Sequence, residues 1–206
     1  MLTALLKQVR ALPVGFPGME TLSSEVVYLM GCRSFEQFCC SIRALAEPGK
    51  FCPFCSSERI RRRRRSFAEI GRWFILRNEF PHRNVAQMWL IIPQRHVVDV
   101  SELNDEDWKD IGRAFAVCQR EIGITAGGIM FRFGDPRLNV GTVEHLHINI
   151  VEPVCGKEYR PPFAKNLDEH ATDYSRMLNF RNEMNEWGGA TWLFSAEGIE
   201  KTQPST

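Results

Sequence analysis

The stretch Glu144-His145-Leu146-His147-Ile148-Asn149-Ile150 puts nitrogen-bearing side chains at every second position. In an extended strand alternate side chains leave opposite faces, so His145, His147 and Asn149 share one face while Leu146, Ile148 and Ile150 share the other. The apolar set is expected to face a core. The polar set gains little from such burial, and two imidazoles beside an amide offer donors, acceptors and a nitrogen nucleophile. The plain alternative is a sheet strand whose histidines are exposed or hydrogen-bonded.

A second group lies upstream. Cys52-Pro-Phe-Cys55 has the spacing that lets two thiolates reach one tetrahedral metal ion. No second cysteine pair at matching spacing follows, so two further ligands must come from elsewhere in the chain. Two unpaired structural thiols are the alternative, and a redox pair is disfavoured because no strand-then-helix pattern surrounds them. The chain has 7 cysteines, an odd number scattered along 206 residues, which argues against a disulfide framework. The adjacent Cys39 and Cys40 read as core or interface residues.

The apolar run Trp89-Leu90-Ile91-Ile92 ends in Pro93, two residues and His96. Together with His145-Leu146-His147-Ile148-Asn149, this resembles the histidine-triad superfamily, nearest its branch with galactose-1-phosphate uridylyltransferase and dinucleoside polyphosphate phosphorylases. The resemblance covers roughly residues 51–153. It implies an α+β, HIT-like fold, an antiparallel sheet with a helix on one face. It also implies that a neutral His147 imidazole attacks an α-phosphorus, giving a covalent nucleotidyl-histidine that splits one displacement into two. Asn149 stands where the family has a third His, or Gln in the transferases, and is expected to steady a phosphoryl oxygen. Thr142 and the backbone N–H groups around Gly141 are further candidate donors.

Relatives that carry the cysteine pair imply a structural zinc held by Cys52, Cys55, His96 and His145, which leaves His145 no acid–base role. Two departures stand out. Gly141 occupies a place where the family usually has Gln, and Asn149 is one methylene shorter than the transferases' Gln and cannot act as a general acid. The implied substrate is a nucleoside polyphosphate, dinucleoside polyphosphate-like, with phosphate, a sugar phosphate or water as acceptor. Replacement of the third His tilts this toward an anionic acceptor. The alternative is a nucleotide-binding or nucleic-acid-associated module with little or no turnover.

Other polar residues are weighed beside these. Asn78 could bind ribose hydroxyls or simply make a turn with Pro81, and Arg83 could meet a phosphate. His82 could be a substrate contact or a spare metal ligand, and reads first as a solvated loop residue. Arg132 could approach the phosphates or pair with Glu144. Arg59 and Arg61 to Arg65 could grip a polyphosphate or a nucleic-acid backbone, or form a solvated face. The formal net charge of +1 gives no long-range pull on nucleic acid.

These groups need elements to position them. Strand signals, rich in β-branched and aromatic residues, cover Trp73 to Leu76, Gln87 to Ile92, Gly128 to Phe133 and Val143 to Val151. Between the second and third lies a helix that Asn104 can cap. Its core candidates are Trp108, Ile111, Phe115, Cys118 and Ile122, and Gly123 ends it. Apolar spacing from Val26 to Ile42 predicts one or two helices after the turn-rich Pro13 to Gly18. Asp168 to about Trp187 reads as a further helix, and Ala190 to Phe194 as a short strand. The expected organisation is an N-terminal helical extension (1–50, ending at Glu47 to Lys50), a nucleotide-binding domain (51–153) and a C-terminal extension (154–206).

Hydrophobic residues at 44% and charged residues at 25% are ordinary for a soluble globular chain. No apolar run reaches the ~18 residues of a membrane span, and the opening Met1 to Lys7 lacks a secretory-signal pattern. A cytoplasmic protein without a membrane partner is the expectation. The resemblance also implies a homodimer, with the C-terminal segment as a contact.

Overall fold

Five strands pair into one antiparallel sheet, in the spatial order first, second, third, fifth and fourth along the sequence. The computed structural model describes residues 29–46, 52–55, 66–163 and 167–202. The Pro13 to Gly18 turn, Val26, Val27, the Glu47 to Lys50 boundary and the Arg59 to Arg65 run lie outside the described residues. The strands are β1 (Ser66–Ile70), β2 (Trp73–Arg77), β3 (Val85–Pro93), β4 (Gly128–Arg132) and β5 (His147–Pro153). The helices are α1 (Phe35–Ala46), α2 (Asp105–Arg120), α3 (Pro136–Asn139), α4 (Leu167–Glu186), α5 (Gly189–Leu193) and α6 (Ala196–Lys201). The architecture is α+β.

The chain divides into two compact units. One comprises Phe54–Gly134 and His145–Pro161 and contains the whole sheet with α2. The β1–β2 turn needs Gly71, whose φ is +57° and where a Cβ would stand 1.9 Å from Asp110 Oδ2. On one face of the sheet Trp73, Ile75, Ile91, Leu146, Ile148 and Ile150 pack with Ile111, Ala114 and Cys118 of α2. Burying those side chains is the main stabilisation, at about 1.5–3 kcal/mol for each large one.

Helix α2 starts at a capping box. Asn104 accepts from the Asp107 N–H at 3.0 Å while Asp107 accepts from the Asn104 N–H at 3.1 Å. Asp107 is almost fully buried and also accepts from Arg95 at 2.8 Å and from Trp73 Nε1 at 3.3 Å. Burial is the largest single influence and pushes its carboxyl up, but the bonds from Asn104, Arg95 and Trp73 and the Arg95 charge together outweigh it and hold the carboxyl below the usual carboxylate range. The expected core stripe is shifted: Trp108 is 46% exposed, Phe115 and Ile122 are half-buried, and Ala114 takes the central place.

The opposite face carries Phe74, Leu76, Leu90 and Ile92, against which Phe54 packs, and a neighbouring group of Met88, Met130 and Val151. His147 and Asn149 lie in this layer. Strand β5 begins at His147 and not at Val143 as expected, because the Leu146 N–H donates to the Val97 carbonyl at 2.6 Å and leaves the ladder.

The second unit comprises Met1–Pro53, Asp135–Glu144 and Pro162–Thr206. Its core joins Leu29, Phe38, Cys39 and Ile42 to Met177, Met184, Trp192 and Leu193. The buried Arg43 donates to the Leu193 carbonyl at 3.2 Å and to Thr202 Oγ1 at 2.6 Å. The segment expected as a strand, Ala190 to Phe194, is instead helical through Leu193 in α5, with Phe194 in the turn that follows. A short apolar run does not by itself distinguish the two periods, and Gly188 and Gly189, both at positive φ, supply the break that lets a new helical turn start. Among the described residues no helix is long and apolar enough to cross a membrane.

Candidate functional site

The site is built from three pieces of chain: the turn at 52–55, the end of β3 with His96 beyond it, and the start of β5. His147 is 7% exposed, and its Nδ1 is 2.7 Å from the His145 carbonyl oxygen. A carbonyl oxygen only accepts, so Nδ1 carries the hydrogen and Nε2 keeps the lone pair. Burial pushes the His147 imidazole down to about 4, assisted by the Arg132 charge and opposed by the hydrogen bond to the His145 carbonyl. The ring is therefore neutral, and its tautomer is fixed, at any ordinary pH.

Asn149 is 2% exposed and pairs in register with Leu90 on one side and Met130 on the other. Its Nδ2 is buried without a hydrogen-bond partner. Leaving such a donor unmade costs about 1–3 kcal/mol, which an apolar residue at the same place would avoid. The cost makes sense for a donor kept for a ligand.

The other imidazole of the row points elsewhere. His145 Nε2 is 3.2 Å from the Pro93 carbonyl, so it carries the hydrogen and leaves Nδ1 as a lone pair. That Nδ1 is 3.2 Å from His96 Nδ1 and 3.5 Å from Cys55 Sγ, and His96 Nδ1 is 3.2 Å from the same sulfur. Cys52 completes the group, with all four donor atoms within 4.8 Å of one another. A tetrahedral ion with bonds of about 2.0–2.1 Å to nitrogen and about 2.3 Å to sulfur sets N···N edges of about 3.3 Å and N···S edges of about 3.6 Å. The His145–His96 spacing and the two imidazole–Cys55 spacings lie within about 0.4 Å of those edges. The four donors can hold one metal ion, and a thiolate–imidazole set suits zinc.

One residue escaped the sequence reading. Phe54, between the two cysteines, meets His145 and His147 edge to face, each at a ring-centroid distance of 5.6 Å. Its place inside the Cys-x-x-Cys turn was the available signal.

The remaining candidates are distributed more widely. Arg132, at the end of β4, is buried and in register with His147. Asn78 Oδ1 accepts from the Phe80 N–H at 2.9 Å, the geometry of a turn, and Arg83 is exposed. His82 is bound by Tyr159 through Nδ1 at 2.8 Å, so it is no solvated loop residue. Gly141 and Thr142 belong to the other compact unit, and the Gly141 N–H donates to Asn139 Oδ1 at 2.8 Å.

With this geometry in view, a HIT family hydrolase from Clostridium thermocellum is a structural neighbour, 23% identical with a TM-score of 0.41 over 52% of this chain and 95% of its own. The chain is similar to histidine-triad proteins. A zinc-bound histidine-triad family protein from Mycobacterium smegmatis is 18% identical, TM-score 0.34, over 57% of this chain and 86% of that one. Diadenosine triphosphate hydrolase from Plasmodium falciparum is 17% identical, TM-score 0.37, over 60% and 78%. No protein-family model matches the sequence, and no curated protein does.

Proposed function

We propose that this chain is a nucleotidyl transferase or nucleotide hydrolase that cleaves a nucleoside polyphosphate at the α-phosphate through a covalent adduct on His147. The observation that carries the reading is the hydrogen bond from His147 Nδ1 to the His145 carbonyl, which leaves Nε2 of a largely buried ring as an unprotonated nucleophile. Nε2 forms a bond to the α-phosphorus while the bond to the bridging oxygen breaks, and the rest of the polyphosphate departs as an anion. Such a leaving group needs no proton, which suits Asn149, an amide that cannot supply one. Asn149 Nδ2 donates to a phosphoryl oxygen as charge builds there. Arg132, in register with His147, adds positive charge near the same atoms. Water or phosphate then takes the nucleotidyl group from His147.

Cys52, Cys55, His96 and His145 hold a structural zinc in this reading. Those four residues would tie the turn at 52–55 to His96 and to His145, two positions before the nucleophile, with a structural role only. Asn78 and Arg83 are the proposed contacts for ribose and an outer phosphate. The test uses diadenosine tetraphosphate with and without phosphate. Attack at the α-phosphate releases ATP, with AMP as second product from water and ADP from phosphate. Neither product from metal-replete protein that still binds nucleotide would favour the alternative, a binding module with little turnover.

A further inference from the structure

We propose that Phe54 is a positioning residue for His147, through which the Cys52–Cys55 turn sets the orientation of the nucleophilic ring. The inference rests on the His147 reading above and adds a residue that reading does not use. Phe54 meets both imidazoles of the row, at interplanar angles of 89° to His145 and 71° to His147. Both are edge contacts within the 4.5–7 Å range in which aromatic rings attract. The ring is itself anchored, packing on the layer of Phe74, Leu76, Leu90 and Ile92.

A hydrogen bond at Nδ1 leaves the imidazole one soft motion, rotation about that bond. The His145 carbonyl fixes where Nδ1 sits, 2.7 Å away, but not the tilt of the ring plane that aims Nε2. An aromatic ring standing at 71° against it restricts that tilt. Phe54 lies between two cysteines whose sulfurs belong to the four-donor group, so the backbone that carries it is tied on both sides. The turn that collects the metal donors and the orientation of the nucleophile are thereby one construction. A small aliphatic residue at 54 would keep the turn and lose the orientation.

The experiment compares full-length metal-replete wild type, Phe54→Leu, Phe54→Tyr and His147→Asn. Three quantities are read: the single-turnover rate of adduct formation from saturating labelled diadenosine tetraphosphate, the Kd for AMP, and bound metal per chain. The expected result for Phe54→Leu is an adduct rate down about fivefold or more, with AMP affinity within twofold and metal content unchanged, and Phe54→Tyr restores the rate. A fourth readout does not depend on turnover, the order parameter of the His147 ring Cε1–H bond from 13C relaxation. It is high in wild type and is expected to fall in Phe54→Leu, while the Nδ1–H tautomer set by the His145 carbonyl stays as in wild type. If wild type forms no adduct, the His147 reading fails, and the ring order alone decides the role of Phe54. An unchanged rate or an unchanged ring order in Phe54→Leu overturns the proposal. So does a loss of AMP affinity that accounts for the whole effect, since Phe54 would then be a nucleotide contact only.

Discussion

Three side chains that look equivalent in the sequence have separate surroundings. His145 turns its Nδ1 toward Cys55 and His96, His147 donates through Nδ1 and keeps a lone pair on Nε2, and Asn149 buries an amide nitrogen with no partner. Replacing Asn149 by Leu removes that orphan, so stability is expected to stay the same or rise by about 1 kcal/mol. Catalysis is expected to fall by about a hundredfold, as for loss of one donor to a developing oxyanion. Chemical denaturation and initial rates on one preparation check both signs, and a large stability loss would contradict the orphan. His147 makes a pH prediction. Burial lowers its pKa from 6.5 to about 4, so the unfolded chain takes up the proton first as pH falls. This contribution is complete above about pH 6.5 and is lost as pH falls toward about 4. Between pH 7 and pH 5 wild type should lose about 2 kcal/mol more stability than His147→Asn, at 1.36 kcal/mol per pKa unit.

At the scale of the element, legibility followed local signals. Helix α2 was readable because its start is chemically marked. The Asn104 and Asp107 capping box fixes the first turn, and Asn104→Ala is expected to cost about 1 kcal/mol by thermal or denaturant unfolding. No loss at all would mean that the helix start is held by packing alone. Strand β1 was not readable. Ser66-Phe67-Ala68-Glu69-Ile70 has little alternation of its own and exists through its pairing with β2. The ambiguous Ala190 to Phe194 went to helix for a like reason, since the decision lies in two positive-φ glycines and in packing against a distant core. The onset of β5 depended on a single tertiary bond, from the Leu146 N–H to the Val97 carbonyl, which no pattern of residue types encodes.

At the scale of the whole molecule, the four candidate metal ligands were named from spacing and resemblance, and the fold gathers their donor atoms within 4.8 Å of one another. The grouping of the chain into units was beyond the sequence. One unit takes residues from three separate stretches, and contacts between residues distant in sequence leave no mark on local composition. A metal that closes the 52–55 turn onto His96 and His145 contributes its binding free energy to folding. Removing it with a strong chelator is expected to lower Tm by about 5 °C or more, restored by stoichiometric zinc. The same Tm in chelated and zinc-loaded protein would remove the metal from the account. The central claim is the nucleophile, and the most direct measurement is mass spectrometry of the chain quenched during turnover of diadenosine tetraphosphate. The account predicts one acid-labile AMP adduct on the peptide containing His147, absent in His147→Asn. Turnover without an adduct, or an adduct that persists in His147→Asn, would contradict it.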